Sequence, residues 1–165
     1  MIIKTKVSFK EYVTLLLSLA YKKIVLRLLL GLALVIILWI ASYYLHLFNL
    51  PKPIIYQYIT LFLIVIVQPS IIFILTLRNY NSSNYLQESL EMEITSNEIM
   101  ITGISFYMEI KWVKFFKIVE TKSWFLMYQN SLSAIIIHKK YLSDMDTFRK
   151  IVKNIKDVPF SNHKE

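Results

Sequence analysis

Few side chains in this sequence combine the residue type and the spacing that catalysis or metal binding requires. The three histidines, His46, His138 and His163, stand far apart in the chain, and no metal-ligand spacing occurs. There is no cysteine, which excludes disulfides, thiolate chemistry and the common zinc clusters. The only glycines are Gly31 and Gly103, so a glycine-rich phosphate loop is excluded as well. The sequence therefore predicts a protein that is not an enzyme and that binds no cofactor or metal.

Two carboxylates recur at a short spacing, and a pair of serines precedes them. Glu91 and Glu93 are two residues apart, which places them on one face of a strand. Such a pair can act as general acid and base, but a solvated sheet face is the more common use of this pattern. Ser82 and Ser83 have no accompanying pattern of histidine and carboxylate. Neither set indicates a catalytic centre.

A short basic stretch is a candidate for binding rather than for catalysis. His138, Lys139 and Lys140 follow an apolar run and are predicted to form a loop. Together with Lys122 and Trp124, this loop would contact anionic lipid, because lysines are attracted to a negative surface and an aromatic ring inserts at the interface. The alternative is a solubilising loop beside a half-buried tryptophan of the core.

Two long apolar runs determine the architecture. Residues 28–45 and residues 54–77 carry no charged side chain, and a turn with Pro51, Lys52 and Pro53 separates them. About 20 apolar helical residues cover a hydrocarbon core of about 30 Å. The sequence therefore predicts a transmembrane helical hairpin over residues 24–78.

The distribution of charge predicts the orientation of this hairpin. Residues 1–27 hold six lysines and arginines against the single acidic Glu11, whereas the turn holds only Lys52. Because basic residues are retained in the cytoplasm, both termini are predicted to be cytoplasmic in a bacterial plasma membrane, with residues 47–53 outside. The net charge of +8 sits beside the membrane without a nucleic-acid recognition motif, so membrane lipid is the predicted partner and nucleic acid is not.

The segment before the first span has a helical pattern. Its apolar residues recur every three or four positions from Phe9 to Ala20, and Ser8 with Glu11 fits a capping box. We predict an amphipathic lead-in helix within residues 1–23. It would lie on the inner membrane surface or pack on the C-terminal domain.

The second span contains polar side chains, of which Gln68 and Pro69 are the most informative. Gln68 can donate a hydrogen bond to a neighbouring helix, and Pro69 should kink its own helix. None of the polar side chains in this span is ionisable, so we predict a role in helix–helix packing rather than in permeation.

The remainder of the chain reads as a small α+β domain. After a polar linker over residues 79–84, the period changes to two, with Leu90, Met92 and Ile94 alternating with polar residues. Several short strands separated by turns predict an antiparallel sheet over residues 85–158. A C-terminal helix capped by Ser143, with Asp146 at the capping-box position, would cover it. Residues 159–165 are predicted to be disordered.

The order of these parts resembles the YcxB-like family of small bacterial membrane proteins. The motifs that carry the resemblance are Ile110-Lys-Trp112, Phe116-Lys-Ile-Val-Glu120, Trp124-Phe-Leu-Met-Tyr128, Ala134-Ile-Ile-Ile137 and Lys139-Lys-Tyr141. His138 stands where the family pattern has a proline. The resemblance implies a cytoplasmic β-domain similar to a pleckstrin-homology domain, held at the membrane by the hairpin. It implies no known activity and no functional residues.

Three functional hypotheses fit these features. The first is a non-enzymatic interaction module, anchored in the membrane, that binds the lipid surface or an unknown protein partner, for example by adding a strand to a sheet edge. The second is an immunity protein against a membrane-active toxin or bacteriocin, and the third is an accessory subunit of a membrane transporter. A homo-oligomer is compatible with each of them.

Overall fold

The computed structural model describes residues 1–131, 133–155 and 158–162. It divides the chain into two compact units. The helical unit is Ser8–Ser82, and the β-unit joins Met1–Val7 to the residues from Ser83 onward. The class is α+β with sheets that are antiparallel apart from one parallel pairing, in agreement with the α+β class that the sequence predicts.

Helix α1 (Phe9–Tyr21) begins with the predicted capping box. The Ser8 hydroxyl accepts a hydrogen bond from the Glu11 N–H, and the Glu11 carboxylate accepts one from the Ser8 N–H at 3.0 Å. At its start, the ring of Phe9 packs edge-on against Phe73 and Tyr80, with centroids 6.0 and 5.3 Å apart. These contacts place α1 along the last helix of its own unit.

Two further helices are long and apolar enough to cross a membrane. Helix α2 (Ile24–Tyr44) has 21 residues, and an 18-residue stretch of it has a mean hydropathy of 2.8. The second, Ile55–Asn81, has 27 residues, and an 18-residue stretch of it has a mean hydropathy of 2.5. Most of the apolar side chains of both helices are exposed. The two helices predicted from the sequence therefore have the length and the composition of membrane spans.

The second long helix changes its hydrogen-bond register at its middle. It consists of α3 (Ile55–Phe62), a π-helical segment (Leu63–Val67) and α4 (Gln68–Asn81). The Gln68 N–H donates to the Leu63 carbonyl, five residues earlier. Because Pro69 lacks an N–H and crowds the carbonyl four residues before it, a local widening of the helix accommodates the ring. The helix then continues to Asn81, so only Ser82 and Ser83 remain of the predicted linker.

The β-unit contains two four-stranded sheets. The first has the order β1 (Ile2–Thr5), β2 (Leu90–Ile94), β3 (Glu98–Thr102) and β4 (Tyr107–Lys111), all antiparallel. The second has the order β7 (Ala134–His138), β6 (Trp124–Tyr128), β5 (Lys117–Glu120) and β8 (Phe160–Asn162). The inward residues of both sheets share one core with helix α6 (Met145–Lys153). The remaining elements are α5 (Asn84–Gln87) and two short 3-10 turns, Trp112–Lys114 and Lys139–Tyr141.

Both ends of the chain differ from the sequence predictions. Residues 1–7, which the sequence assigns to the lead-in helix, contain strand β1, in which Ile3 pairs with Met92. Ile3 and Thr5 face the core while Lys4 faces solvent, so the segment has the period of a strand. Strand β8 lies in the tail predicted to be disordered, and it pairs in parallel with β5. Residues 163–165 of that tail lie outside the described residues.

Helix α6 begins one residue later than predicted. Its N-cap is Asp144, whose carboxylate accepts a hydrogen bond from the Thr147 N–H at 2.9 Å. Ser143 therefore does not cap the helix, and Asp146 lies in the first turn, where an acidic side chain favours the positive end of the helix dipole. Phe148 and Val152 are fully buried, as their place in the predicted apolar stripe requires.

Candidate functional site

A buried carboxylate is the centre of the polar network in the β-unit. Glu120, at the end of β5, has a side chain that is only 2% exposed. Lys139 Nζ lies 2.6 Å from Glu120 Oε1. Arg149 of α6 donates to both carboxylate oxygens, through Nη2 at 2.6 Å and Nε at 3.1–3.2 Å. The two cations therefore tie α6 and the turn after β7 to β5.

The charges of this network hold the carboxylate in its ionised form. Burial by itself raises the pKa of Glu120, but the hydrogen bonds from Arg149 and Lys139 outweigh burial and bring the pKa below its ordinary value. The same contacts with Glu120 raise the pKa of the Arg149 guanidinium. An ionised carboxylate whose oxygens already accept from two cations is a poor general acid or base. The network is suited to fixing the fold rather than to proton transfer.

Sequence reasoning missed this network, although one signal pointed to it. Ile118 and Glu120 are two residues apart on β5 and face the same side, and Ile118 is fully buried. A carboxylate on the core-facing side of a strand requires a cationic partner. The signal was obscured because residues 113–120 read equally well as strand or helical turn.

The predicted basic lipid patch separates into buried and exposed members. Trp124 is buried and packs edge-on against the His138 ring at 4.5 Å, and Lys139 is engaged by Glu120. The His138 Nδ1 accepts a hydrogen bond from the Lys140 N–H at 3.1 Å. Lys122 and Lys140 are exposed. Trp124 is thus a core tryptophan, and neither it nor Lys139 is placed to contact a surface.

The remaining acidic and histidine candidates do not converge. Glu91 and Glu93 lie on the exposed face of β2, where Lys4 Nζ approaches Glu91 Oε2 at 3.8 Å. His46 follows α2 in the connection between the two long helices, and His163 lies outside the described residues. Among the residues that the structure describes, no group of three or more histidine, aspartate or glutamate side chains could hold a metal ion.

In the helical unit, the two residues predicted to support helix packing have different surroundings. The side-chain nitrogen and oxygen of Gln68 are buried, and among the described residues neither has a hydrogen-bond partner. Pro69 and Ser70 line a shallow groove with Val65, Phe73 and Ile74. A buried amide without a partner costs free energy, so the side chain of Gln68 is a local source of instability in the helical unit.

A loop of the β-unit is also held by a carboxylate. Glu88 accepts hydrogen bonds from the Ile104 and Ser105 N–H groups and from the Ser105 hydroxyl. The bonds from Ser105 are the main cause of a lowered pKa at Glu88. Gly103 precedes this loop and leaves no room for a side chain, since a Cβ there would lie 2.6 Å from the Phe106 ring and 2.7 Å from Glu88 Oε2. The hairpin between β3 and β4 is therefore built around a glycine.

Strand β4 is an edge of its sheet. The Gly103 N–H donates to Phe106, and the Trp112 N–H donates to Asn97, at the two ends of the β3–β4 ladder. Because hydrogen-bonded pairs alternate in an antiparallel ladder, the main-chain groups of Tyr107, Glu109 and Lys111 point away from β3. These groups form an open strand edge.

The connection from β4 to β5 alternates between buried anchors and exposed side chains. Trp112 and Phe115 are buried with ring centroids 5.5 Å apart, and the Trp112 Nε1 donates to the Thr95 carbonyl at 3.1 Å. Between and after them, Val113 is 66% exposed and Phe116 is 59% exposed. The connection is therefore a fixed turn with apolar side chains on its outside.

Part of the β-unit is similar to a known protein family. Residues 94–152 match the sequence model of the family described as YcxB-like protein. The match runs from the last residue of β2 into α6 and confirms, for this stretch, the family suggested by the sequence motifs. None of the curated proteins and none of the solved structures matches the chain.

Proposed function

Because residues 94–152 match the YcxB-like family, we propose that the protein is a non-enzymatic interaction module of this type, anchored in a membrane by its two long helices. The observation that carries the proposal is the exposed apolar surface of these helices. Side chains such as Leu34, Phe62 and Ile74 are about half exposed or more. In water such a surface drives association, whereas in a bilayer it is solvated by lipid.

We further propose that the β-unit is a cytoplasmic domain similar to a pleckstrin-homology domain. Two four-stranded sheets, antiparallel except for β8, and a C-terminal helix around one core support this fold assignment. The excess of lysine and arginine before α2 and the single Lys52 between the helices support the orientation.

A binding role rather than a catalytic role is supported by the state of the charged groups. The buried Glu120 is occupied by two cations, and the acidic residues of β2 face solvent on an open sheet surface. The open edge of β4 offers a means of binding, because an extended segment of a protein partner would pair with the outward main-chain groups of Tyr107, Glu109 and Lys111.

The topology can be tested with single cysteines, since the chain has none of its own. Lys52→Cys lies between the two long helices, and Lys122→Cys lies at the exposed turn between β5 and β6. In intact bacterial cells, a membrane-impermeant maleimide should label the first variant, whereas the second should react only after lysis. Labelling of Lys122→Cys in intact cells would refute the cytoplasmic placement, and release of the protein by alkaline carbonate would refute the anchor.

The strand-edge mode of binding requires a separate test. Glu109→Pro removes one outward N–H from β4 and leaves the β3–β4 hydrogen bonds intact, because the N–H of residue 109 does not point toward β3. We expect that a partner co-purified with the full-length protein in mild detergent is lost from this variant and retained by Glu109→Gln. Equal recovery with both variants would refute binding through this edge.

A further inference from the structure

The connection between β4 and β5, together with the flanking strand residues Lys111 and Lys117, exposes both apolar and positively charged side chains. Val113 and Phe116 are the exposed apolar pair, and Lys114 stands between them. Lys117 follows, with its Nζ 5.8 Å from the centroid of the Phe116 ring and 4.8 Å from that of Tyr128. No acidic residue occurs between positions 110 and 119.

The turn is held in shape by its buried neighbours. Trp112 and Phe115 anchor it in the core, and the Phe116 N–H donates to the Tyr128 carbonyl at 2.7 Å. Exposed side chains on a fixed turn lose little conformational freedom when they enter another phase. The exposed valine and phenylalanine therefore present apolar surface that is available for contact with something outside the β-unit.

The charge of the turn indicates the chemistry of that contact. Lys111 lies opposite Glu98 in the β3–β4 register, so its charge is balanced, whereas Lys114 and Lys117 lie beside exposed apolar groups. Lysines around inserted apolar side chains fit a surface that is negatively charged above an apolar interior. Anionic phospholipid combines these two properties, because lysines near its surface are attracted to the headgroups and apolar side chains enter the interface.

We propose that residues 111–117 are the membrane-docking turn of the β-unit, with Val113 and Phe116 entering the headgroup boundary of an anionic bilayer and Lys114 and Lys117 contacting the phosphates. This proposal rests on the anchored state proposed above, because the anchor keeps the β-unit at a high effective concentration near the bilayer. The docking turn replaces the surface of Lys122, Trp124 and residues 138–140 that the sequence indicated.

The test uses the full chain reconstituted into vesicles, with one spin label at a single introduced cysteine. Val113→Cys reports on the turn, and Leu34→Cys reports on the anchor, because Leu34 lies in the middle of α2 and is exposed. Ile104→Cys is the matched control, since Ile104 is 86% exposed in the same unit but its loop is bound to the acidic Glu88. The measurement is the accessibility of each label to oxygen in lipid and to a water-soluble nickel complex, in phosphatidylcholine vesicles with and without phosphatidylglycerol.

We expect the label at position 113 to be in contact with lipid only when phosphatidylglycerol is present, while the label at position 104 stays in water. Adding Lys114→Glu and Lys117→Glu should reduce the docked fraction about tenfold or more. Water exposure of the label at 113 in anionic vesicles would overturn the proposal, and equal lipid contact in both kinds of vesicle would overturn its assignment to anionic lipid. The label at position 34 separates the two proposals, since water exposure there overturns the anchor, whereas lipid contact there with water exposure at 113 overturns only the docking turn.

Discussion

Replacement of Glu120 by glutamine should destabilise the β-unit strongly. Glutamine has nearly the same shape but no charge, so Lys139 and Arg149 lose the anion that both of them contact at 2.6 Å. The carboxylate is 2% exposed, and its partners are 16% and 32% exposed, so water replaces these contacts only in part. Loss of one partner from a buried ion pair costs about 3–5 kcal/mol. Because both cations are partly exposed, we expect Glu120→Gln to lose unfolding free energy at the lower end of this range, about 3 kcal/mol.

Substitution of one of the two cations should have a smaller effect than substitution of Glu120. Arg149→Met leaves Lys139 in place, and we expect a loss of about 2 kcal/mol. Glu120→Gln and Arg149→Met both remove the contact between these two side chains. The double variant should therefore lose about 1–2 kcal/mol less unfolding free energy than the sum of the two single losses. Asp146→Asn is the matched control. Asp146 contacts the same Arg149 at 3.0 Å but is 83% exposed, so its loss should cost less than about 0.5 kcal/mol.

Tryptophan fluorescence can follow the β-unit alone. The chain has three tryptophans, of which Trp112 and Trp124 are buried in the β-unit and Trp39 lies in α2. In a Trp39→Phe background, urea unfolding of the full chain in detergent reports on the core beside Glu120. The two-state assumption applies to one unit at a time, so this fluorescence signal yields the free energy of unfolding of the β-unit.

The pH dependence provides an independent measure of the same contact. The folded pKa of Glu120 lies below the ordinary value of 4.5, so its stabilising contribution is fully present above about pH 4.5. It is lost as the pH falls through the folded pKa. The difference in free energy of unfolding between wild type and Glu120→Gln should therefore shrink in this acid range. A loss no larger than that of Asp146→Asn, or a difference that does not change with acid, would refute the reasoning.

Three further substitutions test other parts of the structure. Asp144→Ala should lower the Tm of the β-unit by about 4–8 °C at neutral pH, because α6 loses its cap, whereas Ser143→Ala should leave the Tm unchanged. The pKa of Asp144 is lowered from 3.8 by its bonds with Thr147, so the effect of Asp144→Ala should fade as the pH drops below 3.8. Gly103→Ala should cost about 1–3 kcal/mol in urea unfolding, since its Cβ would displace the Phe106 ring and the Glu88 carboxylate, and an unchanged midpoint would contradict the tight hairpin. Gln68→Leu should raise the resistance of the isolated helical hairpin to detergent unfolding, because it removes a buried amide that lacks a partner among the described residues, and a loss of resistance would show that the amide is bonded.

The elements that the sequence predicts well are those whose signal is local. Strand β2 is evident from its alternation and helix α6 from its apolar stripe, because one buried face imposes its period on a few consecutive residues. The two long helices are evident for the same reason, since their apolar surface is continuous along the chain.

The elements that the sequence missed depend on distant partners. Strand β1 exists because Ile2–Thr5 pairs with residues 90–93, whereas the sequence prediction included this segment in the lead-in helix. Strand β8 is three residues long and depends on its parallel pairing with β5. A short segment has little propensity of its own, and the partner that supplies its hydrogen bonds cannot be read from neighbouring residues.

The same distinction applies to the chemistry of the chain. Composition alone determined that cysteine and glycine-rich sites are excluded and that the charge is concentrated before the first long helix. Only the tertiary structure decided which charged residues are inside. It brought Lys139 and Arg149 to a carboxylate 19 and 29 positions earlier in the chain, and buried Trp124 while leaving Val113 and Phe116 exposed. The physical reason is that residue type and local period follow the chain, whereas burial and ion pairing depend on which distant segments the fold brings together.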